Sequence, residues 1–105
     1  MRYLTEPCPD EQAFRFQNGA KARSLDELRR TIQAAPPEVV QFHKDHYQHW
    51  VRDILQDKPL AERIQQEGQR SQNGEQLKRA LDPILSQPLQ PKQGQQQSGA
   101  FGKRR

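Results

Sequence analysis

The sequence has 105 residues, which is enough for one domain. Hydrophobic residues make up 31% of it, whereas an average globular protein holds ~45–50% apolar residues with glycine counted. The core must therefore be thin, so the apolar residues either gather in one compact region or are covered by a partner. A single cysteine, Cys8, excludes an intramolecular disulfide.

The net charge of +4 comes from the C-terminal end. The cations without a matching acid are Lys92, Lys103, Arg104 and Arg105, and residues 1–90 are neutral in sum. Basic charge therefore argues for nucleic-acid binding only at the tail. No apolar run resembles a signal peptide or approaches the ~18 residues of a membrane span. A cytoplasmic protein without membrane contact is the expectation.

Residues 1–12 carry a proline on each side of Cys8 and are predicted to form an extended lead-in. Tyr3 and Leu4 are the side chains that could dock on the core. No base lies beside Cys8 in the sequence to activate its thiol, so an inert thiol is predicted rather than a nucleophile.

The stretch FRFQNGAKAR, residues 14–23, predicts a β-hairpin. A two-residue turn at Asn18-Gly19 would mix apolar and charged residues on each face. A three-residue loop with Gly19 in the left-handed region pairs Phe16 with Ala20 and gives one face that can be buried. An isolated hairpin is marginal in water, so this one must pack on the helices.

The other face of the hairpin carries three cations, which two interpretations explain. The face is a solvated edge protected by charge, or it contacts phosphate groups. Nearby Asp26 and Glu27 dilute the field and favour the solvated edge. In the second interpretation the hairpin and the tail form a nucleic-acid-binding surface through Arg15, Lys21, Arg23, Lys103, Arg104 and Arg105.

Three helix starts are predicted from residues whose side chains can cap the free amides of a first turn. These N-caps are Ser24 (in a capping box with Glu27), Asp57 and Asn73 (with Gln76 three residues on). The predicted ends are Ala35 before a proline pair, Gly68 as the residue that follows its helix, and Pro83.

Residues 38–56 allow two alternatives. An unbroken apolar stripe favours one long helix to about Gln56. A capping signal at Asp45, with Gln48 three residues on, favours a break at Lys44-Asp45 and a second helix.

From Ser86 the sequence is rich in Gln, Gly and Pro, which predicts a disordered tail over residues 86–105. The predicted fold class is mainly α. It is a small bundle of three to five helices with an N-terminal β-hairpin, occupying residues 13–85.

The segment Phe42–Leu55 holds the only Trp and all three His. On one helix His43, His46 and His49 spread too widely to meet one ion, although a pair could bind a metal with a third ligand from elsewhere. A pH-responsive interface is a further alternative. The simplest interpretation has His43 packed on the apolar stripe with its ring N–H bonded to backbone, and the other two histidines half-exposed.

Tyr47 and Trp50 lie in the same segment and have two possible roles. Both could anchor an interface. Core packing is favoured for Trp50, because the chain has few other large apolar residues. The candidate interaction residues are therefore His43, His46, Tyr47, His49 and Trp50.

The chain resembles a prokaryotic domain-of-unknown-function family over about residues 13–65. The family pattern runs F-x-F/L-x-D/N-G, then S/N-L-x-E-L, an aromatic segment ending in His, and W-V/I-x-x-V/I-L-x-D-x-x-L-A. Only six residues separate His43 from Trp50, fewer than is usual in the family. The matching residues are Phe14, Phe16, Asn18-Gly19, Ser24–Leu28, Phe42-His43, Trp50–Leu55, Asp57 and Leu60-Ala61. The resemblance implies a small accessory or regulatory domain.

The function expected from these observations is a protein-interaction or regulatory domain with an unidentified protein partner. A homo-oligomer is possible. Nucleic-acid binding is the first alternative and a histidine-based metal site the second. No Gly-rich phosphate loop, G-x-S-x-G or paired acidic motif is present, so neither an enzyme nor a bound cofactor is expected.

Overall fold

The computed structural model describes residues 2–89, and it confirms a mainly α fold with an N-terminal hairpin. Within this range no helix is both long and apolar enough to cross a membrane. Two short 3-10 helices, Asp10–Gln12 and Gln87–Leu89, flank the fold. The strands are β1 (Phe14–Arg15) and β2 (Lys21–Ala22), and the helices are α1 (Leu25–Ala34), α2 (Pro37–Phe42), α3 (Tyr47–Trp50), α4 (Lys58–Arg70) and α5 (Gly74–Ser86).

The hairpin has the predicted three-residue loop. The Phe16 N–H donates to the Ala20 carbonyl at 2.7 Å, and Phe14 stands opposite Ala22. Gly19 has φ +94°, in the region that the loop requires and that side chains disfavour. Phe14, Phe16 and Ala22 are buried, so the hairpin contributes one apolar face to the core.

The predicted N-caps of α1, α4 and α5 are confirmed. The Ser24 hydroxyl accepts from the Glu27 N–H at 3.1 Å, and the Asp57 carboxylate accepts from the Leu60 N–H at 3.1 Å. The Asn73 side-chain oxygen accepts from the amide three residues on at 2.9 Å. Helix α1 ends at Ala34, with the predicted Ala35 as its C-cap.

The prediction that Gly68 follows α4 is wrong, because the helix runs on to Arg70. A Cβ at position 68 would lie 3.3 Å from the carbonyl oxygen of Lys44. Glycine therefore allows α4 to approach the backbone that connects α2 to α3.

The prediction that Pro83 halts the last helix is also wrong. A proline inside a helix costs about 3 kcal/mol, but Ile84 and Leu85 beyond it are buried. Each such burial contributes ~1.5–3 kcal/mol, so the helix continues to Ser86. Leu89 packs against the core as well, which makes the predicted disorder wrong for residues 86–89. The rest of the predicted tail, residues 90–105, lies outside the described residues.

The single long helix considered for residues 38–56 is wrong, and the break near Lys44-Asp45 is confirmed. Helix α2 ends at Phe42, and α3 begins after a four-residue turn, 43–46, and continues as the π-helix Val51–Leu55. Asp45 does not cap α3. The N-cap is His46, and it makes no side-chain cap hydrogen bond.

The N-terminal segment docks on α1 more closely than an extended lead-in would. The Tyr3 and Leu4 carbonyls accept from the N–H groups of Leu25 and Asp26, at 2.9 and 3.0 Å. These amides belong to the first turn of α1, which lacks partners within the helix. Cys8 is fully buried nearby, and this burial raises the pKa of its thiol.

Candidate functional site

His43 occupies an aromatic pocket where the hairpin meets the turn between α2 and α3. It is 5% exposed, and its ring centroid lies 5.3 Å from that of Phe14 and 5.4 Å from that of Phe16. Its Nε2 accepts a hydrogen bond from the Gln17 N–H at 2.9 Å. The packing of His43 on the core is as predicted, but the predicted bond from its ring N–H to backbone is wrong, because the ring nitrogen accepts.

These contacts fix which nitrogen of each histidine carries the proton. A backbone N–H only donates, so the His43 Nε2 is unprotonated and its proton sits on Nδ1. That Nδ1 lies 2.9 Å from the Nδ1 of His46, which accepts and therefore carries its own proton on Nε2. The Arg52 guanidinium, a pure donor, lies 3.0 Å from the His49 Nδ1, which leaves the His49 proton on Nε2 as well.

The electrostatics of the pair favour this neutral arrangement. Burial lowers the pKa of His43, and the proximity of His46 lowers it further. A charged imidazolium at position 43 would lose its hydration, and among the described residues no carboxylate forms an ion pair with it to compensate.

The five predicted interaction residues fall into two groups. Tyr47 is fully buried and its hydroxyl donates to the Val40 carbonyl at 3.1 Å, while burial raises the pKa of the phenol. Trp50 is 8% exposed, and its indole N–H donates to the Gln12 carbonyl at 2.7 Å. Both belong to the core with His43, which leaves His46 and His49 at the surface.

An open depression of about 540 Å³ lies over this group. Its buried base includes Phe14 and Trp50, and both exposed histidines line it. Phe42, at the end of α2, is 55% exposed and is the only large hydrophobic side chain exposed between residues 2 and 89. Its ring lies 4.9 Å from that of His43 and 6.0 Å from that of His46, centroid to centroid.

Phe42 is the candidate residue that the sequence prediction missed. The signal was present, because Phe42 falls off the helical stripe that includes Val40, His43 and Tyr47. An aromatic residue off the apolar stripe of an amphipathic segment does not face the core, and Phe42 remains at the surface.

The cations of the hairpin face do not form a free basic cluster. Arg15 pairs with the Asp10 carboxylate at 3.2 Å, and Lys21 pairs with the same carboxylate. The hydrogen bond from Lys21 and its charge, with a smaller contribution from Arg15, hold the pKa of the Asp10 carboxyl below its usual value. The Arg23 Nε donates to the Cys8 carbonyl at 2.8 Å. Residues 103–105, which complete the predicted nucleic-acid surface, lie outside the described residues.

The histidine pair is poorly suited to a metal ion. Within residues 2–89 no group of three or more His, Cys, Asp or Glu side chains could hold one. The two facing Nδ1 atoms are close, but the one on His43 carries a proton. A metal there would require an imidazolate or the loss of the bond from Gln17, whereas a ligating histidine normally donates through its other nitrogen.

Comparisons with known proteins identified no relative of the chain. No protein-family model matches the chain, and searches of curated proteins and of solved structures found no match. The resemblance to the prokaryotic family stays a prediction.

Proposed function

We propose that the protein is a small interaction module that binds a segment of a protein partner. The contact area, called the Phe42 surface below, consists of the exposed side chains of Phe42, His46 and His49 with the adjoining depression. The observation that carries the proposal is the exposed Phe42 ring, held against two imidazoles at the point where the helix breaks.

The energetics favour an aromatic anchor. Burying a phenylalanine side chain contributes ~1.5–3 kcal/mol, and the exposed 55% of this one leaves part of that contribution unused within the described fold. Its edge contacts with His43 and His46 restrict the ring before binding, which lowers the entropy cost of docking. Aromatic side chains beside a depression are typical anchors of protein interfaces.

The polar chemistry of the surface indicates what the partner segment offers. His46 and His49 are exposed, and each carries its proton on Nε2, so both can donate a hydrogen bond. A matching segment would place an apolar side chain against Phe42 and carbonyl or carboxylate oxygens against the two imidazoles.

The proposal is tested by site-specific photo-crosslinking. A benzophenone amino acid at position 42 should cross-link a protein partner in the native cell extract. The same group at the exposed Gln66 of α4, which does not line the depression, should not give that product. A product of twice the chain mass would identify a second copy of the protein as the partner.

Direct binding then decides the outcome. The captured partner is purified and titrated against wild type, Phe42→Ser and Gln66→Ser. Removing an interface anchor costs ~2 kcal/mol or more, which is about 30-fold in Kd. Equal affinity of Phe42→Ser and wild type for the partner, with both variants folded, would contradict the proposal.

A further inference from the structure

The His43–His46 pair is satisfied in only one protonation state. With both rings neutral, the Gln17 N–H donates to His43 Nε2 and the His43 Nδ1–H donates to His46 Nδ1, each at 2.9 Å. An added proton on His43 goes to Nε2, where it faces another donor. An added proton on His46 goes to Nδ1, where it faces the His43 N–H. Moving the His43 proton to Nε2 instead again opposes the Gln17 N–H, so every singly protonated state loses a hydrogen bond.

The bonds at risk join two elements that the sequence keeps far apart. Gln17 opens the hairpin loop, while His43 caps the end of α2 and His46 precedes α3. The Phe42 ring packs against both imidazoles. A change in their hydrogen bonding therefore reaches the Phe42 surface directly.

Among the described residues, no carboxylate forms an ion pair with either ring of the pair. Tyr47 of α3 faces His43 with a neutral phenol. Arg15 and Asp53, which line the same depression, are paired with Asp10 and Arg52. The titratable and charged groups around the pair are thus Arg15 of β1, Lys44 and Asp45 of the turn, Tyr47 and His49 of α3, and Arg52 and Asp53 of the π-helix.

We propose that the His43–His46 pair is an acid-sensitive latch. Protonation of His43 at Nε2 breaks its bond to the hairpin loop, protonation of His46 at Nδ1 breaks the bond between the two rings, and either change alters the Phe42 surface. The latch itself stands on the hydrogen-bond geometry. Its regulatory meaning, weaker docking in acid, rests on the proposed function.

The test is NMR on the free, full-length protein, so it needs no partner. Long-range ¹H–¹⁵N spectra of the imidazoles at about pH 7.5 should show the proton of His43 on Nδ1 and that of His46 on Nε2. On acidification to about pH 5, the protection factor of the Gln17 amide should fall about tenfold, as expected for the loss of one hydrogen bond. The Phe42 ring resonances should shift with the same midpoint.

Two variants isolate the latch. His43→Gln offers an oxygen to the Gln17 N–H and does not titrate, so the pH response of that amide should vanish. His49→Gln removes an exposed histidine outside the pair and should leave the response intact. If His43→Gln does not fold, His46→Gln serves as the second variant. The protection factor of the Gln17 amide should then still fall in acid, with a single midpoint that matches the protonation of the His43 ring.

The outcomes separate this inference from the docking proposal. A Gln17 amide that stays protected while His43 and His46 titrate would overturn the latch. So would a His43 proton found on Nε2 at about pH 7.5. Either result leaves the cross-linking result at Phe42 untouched, and a failure to find a partner leaves the latch standing.

Discussion

Helices α4 and α5 and the segment from α2 to the π-helix are built in opposite ways. The first two begin at Asp57 and Asn73, whose side chains cap amides three residues on. The second region has no side-chain cap at any of its starts. His43 and Trp50 instead form hydrogen bonds with Gln17 and Gln12, which lie 26 and 38 residues earlier in the sequence. The Tyr47 hydroxyl joins α3 to Val40 of α2. One region is specified by near neighbours and the other by contacts with the hairpin and the N-terminal segment.

Replacing Trp50 should break the second region most severely. Trp50→Ala removes a large buried ring and leaves the Gln12 carbonyl without its donor. We expect a loss of about 3–5 kcal/mol in the free energy of unfolding, measured by urea denaturation. Trp50→Phe keeps most of the ring and loses the hydrogen bond, so it should lose only ~1–3 kcal/mol. A loss below ~1 kcal/mol for Trp50→Ala would mean that the tertiary contacts do not hold this region.

The junction of the two regions is tested by a glycine pair. A Cβ at Gly74 would overlap the Pro37 carbonyl at the start of α2. Gly74→Ala should therefore lose ~1–3 kcal/mol or more, since the backbones must separate. At Gly68 the Cβ would meet the Lys44 carbonyl oxygen at 3.3 Å, and the ~1 kcal/mol helix preference for alanine offsets the strain. Similar unfolding free energies for the two variants would refute the close contact at Pro37.

A smaller effect separates a true cap from a false one. Asn73→Ala should destabilise the protein by about 1 kcal/mol, because the Gln76 N–H loses its acceptor. Asp45→Ala should change the stability by less than ~0.5 kcal/mol, since Asp45 is exposed and does not cap α3. Chemical denaturation of both variants compares them directly, and a cost at Asp45 equal to that at Asn73 would restore the capping role predicted from the sequence.

The contribution of His43 to the pH dependence of stability lies on the acid side of neutrality. The pKa of His43 is lowered in the folded protein, so the unfolded chain binds a proton at higher pH than the folded one. The stabilisation by the neutral ring is complete above the unfolded value of about 6.5 and declines as the pH falls toward the folded pKa. Thermal midpoints at about pH 7.5 and 5.5 should therefore differ more for wild type than for His43→Gln. Equal differences in the two proteins would show that His43 does not contribute to the pH dependence of stability.

The locally specified parts were predictable from the sequence alone. Ser24, Asp57 and Asn73 cap within a single turn, so their roles depend on residues three positions away. The hairpin register followed from the need to place Phe14 and Phe16 on one face.

The prediction failed where packing overrides local preference. Gly68 and Pro83 are residue types typical of helix ends. At Gly68, the close contact with the Lys44 backbone favours a glycine inside α4. At Pro83, the burial of Ile84 and Leu85 extends α5 beyond the proline. The segment of the candidate site was recognised from its histidines. The pairing of His43 with Gln17 depends on a loop 26 residues earlier, which no periodicity reveals, and its consequence for Phe42 was therefore missed.

Cys8 can report on local opening of the N-terminal segment. Its thiol is fully enclosed, and the raised pKa keeps it protonated and unreactive in the closed state. The sequence contains no other cysteine, so alkylation by a small reagent proceeds only when the N-terminal segment lifts from Arg23 and α1. The rate of labelling would give the free energy of that local opening without any introduced probe.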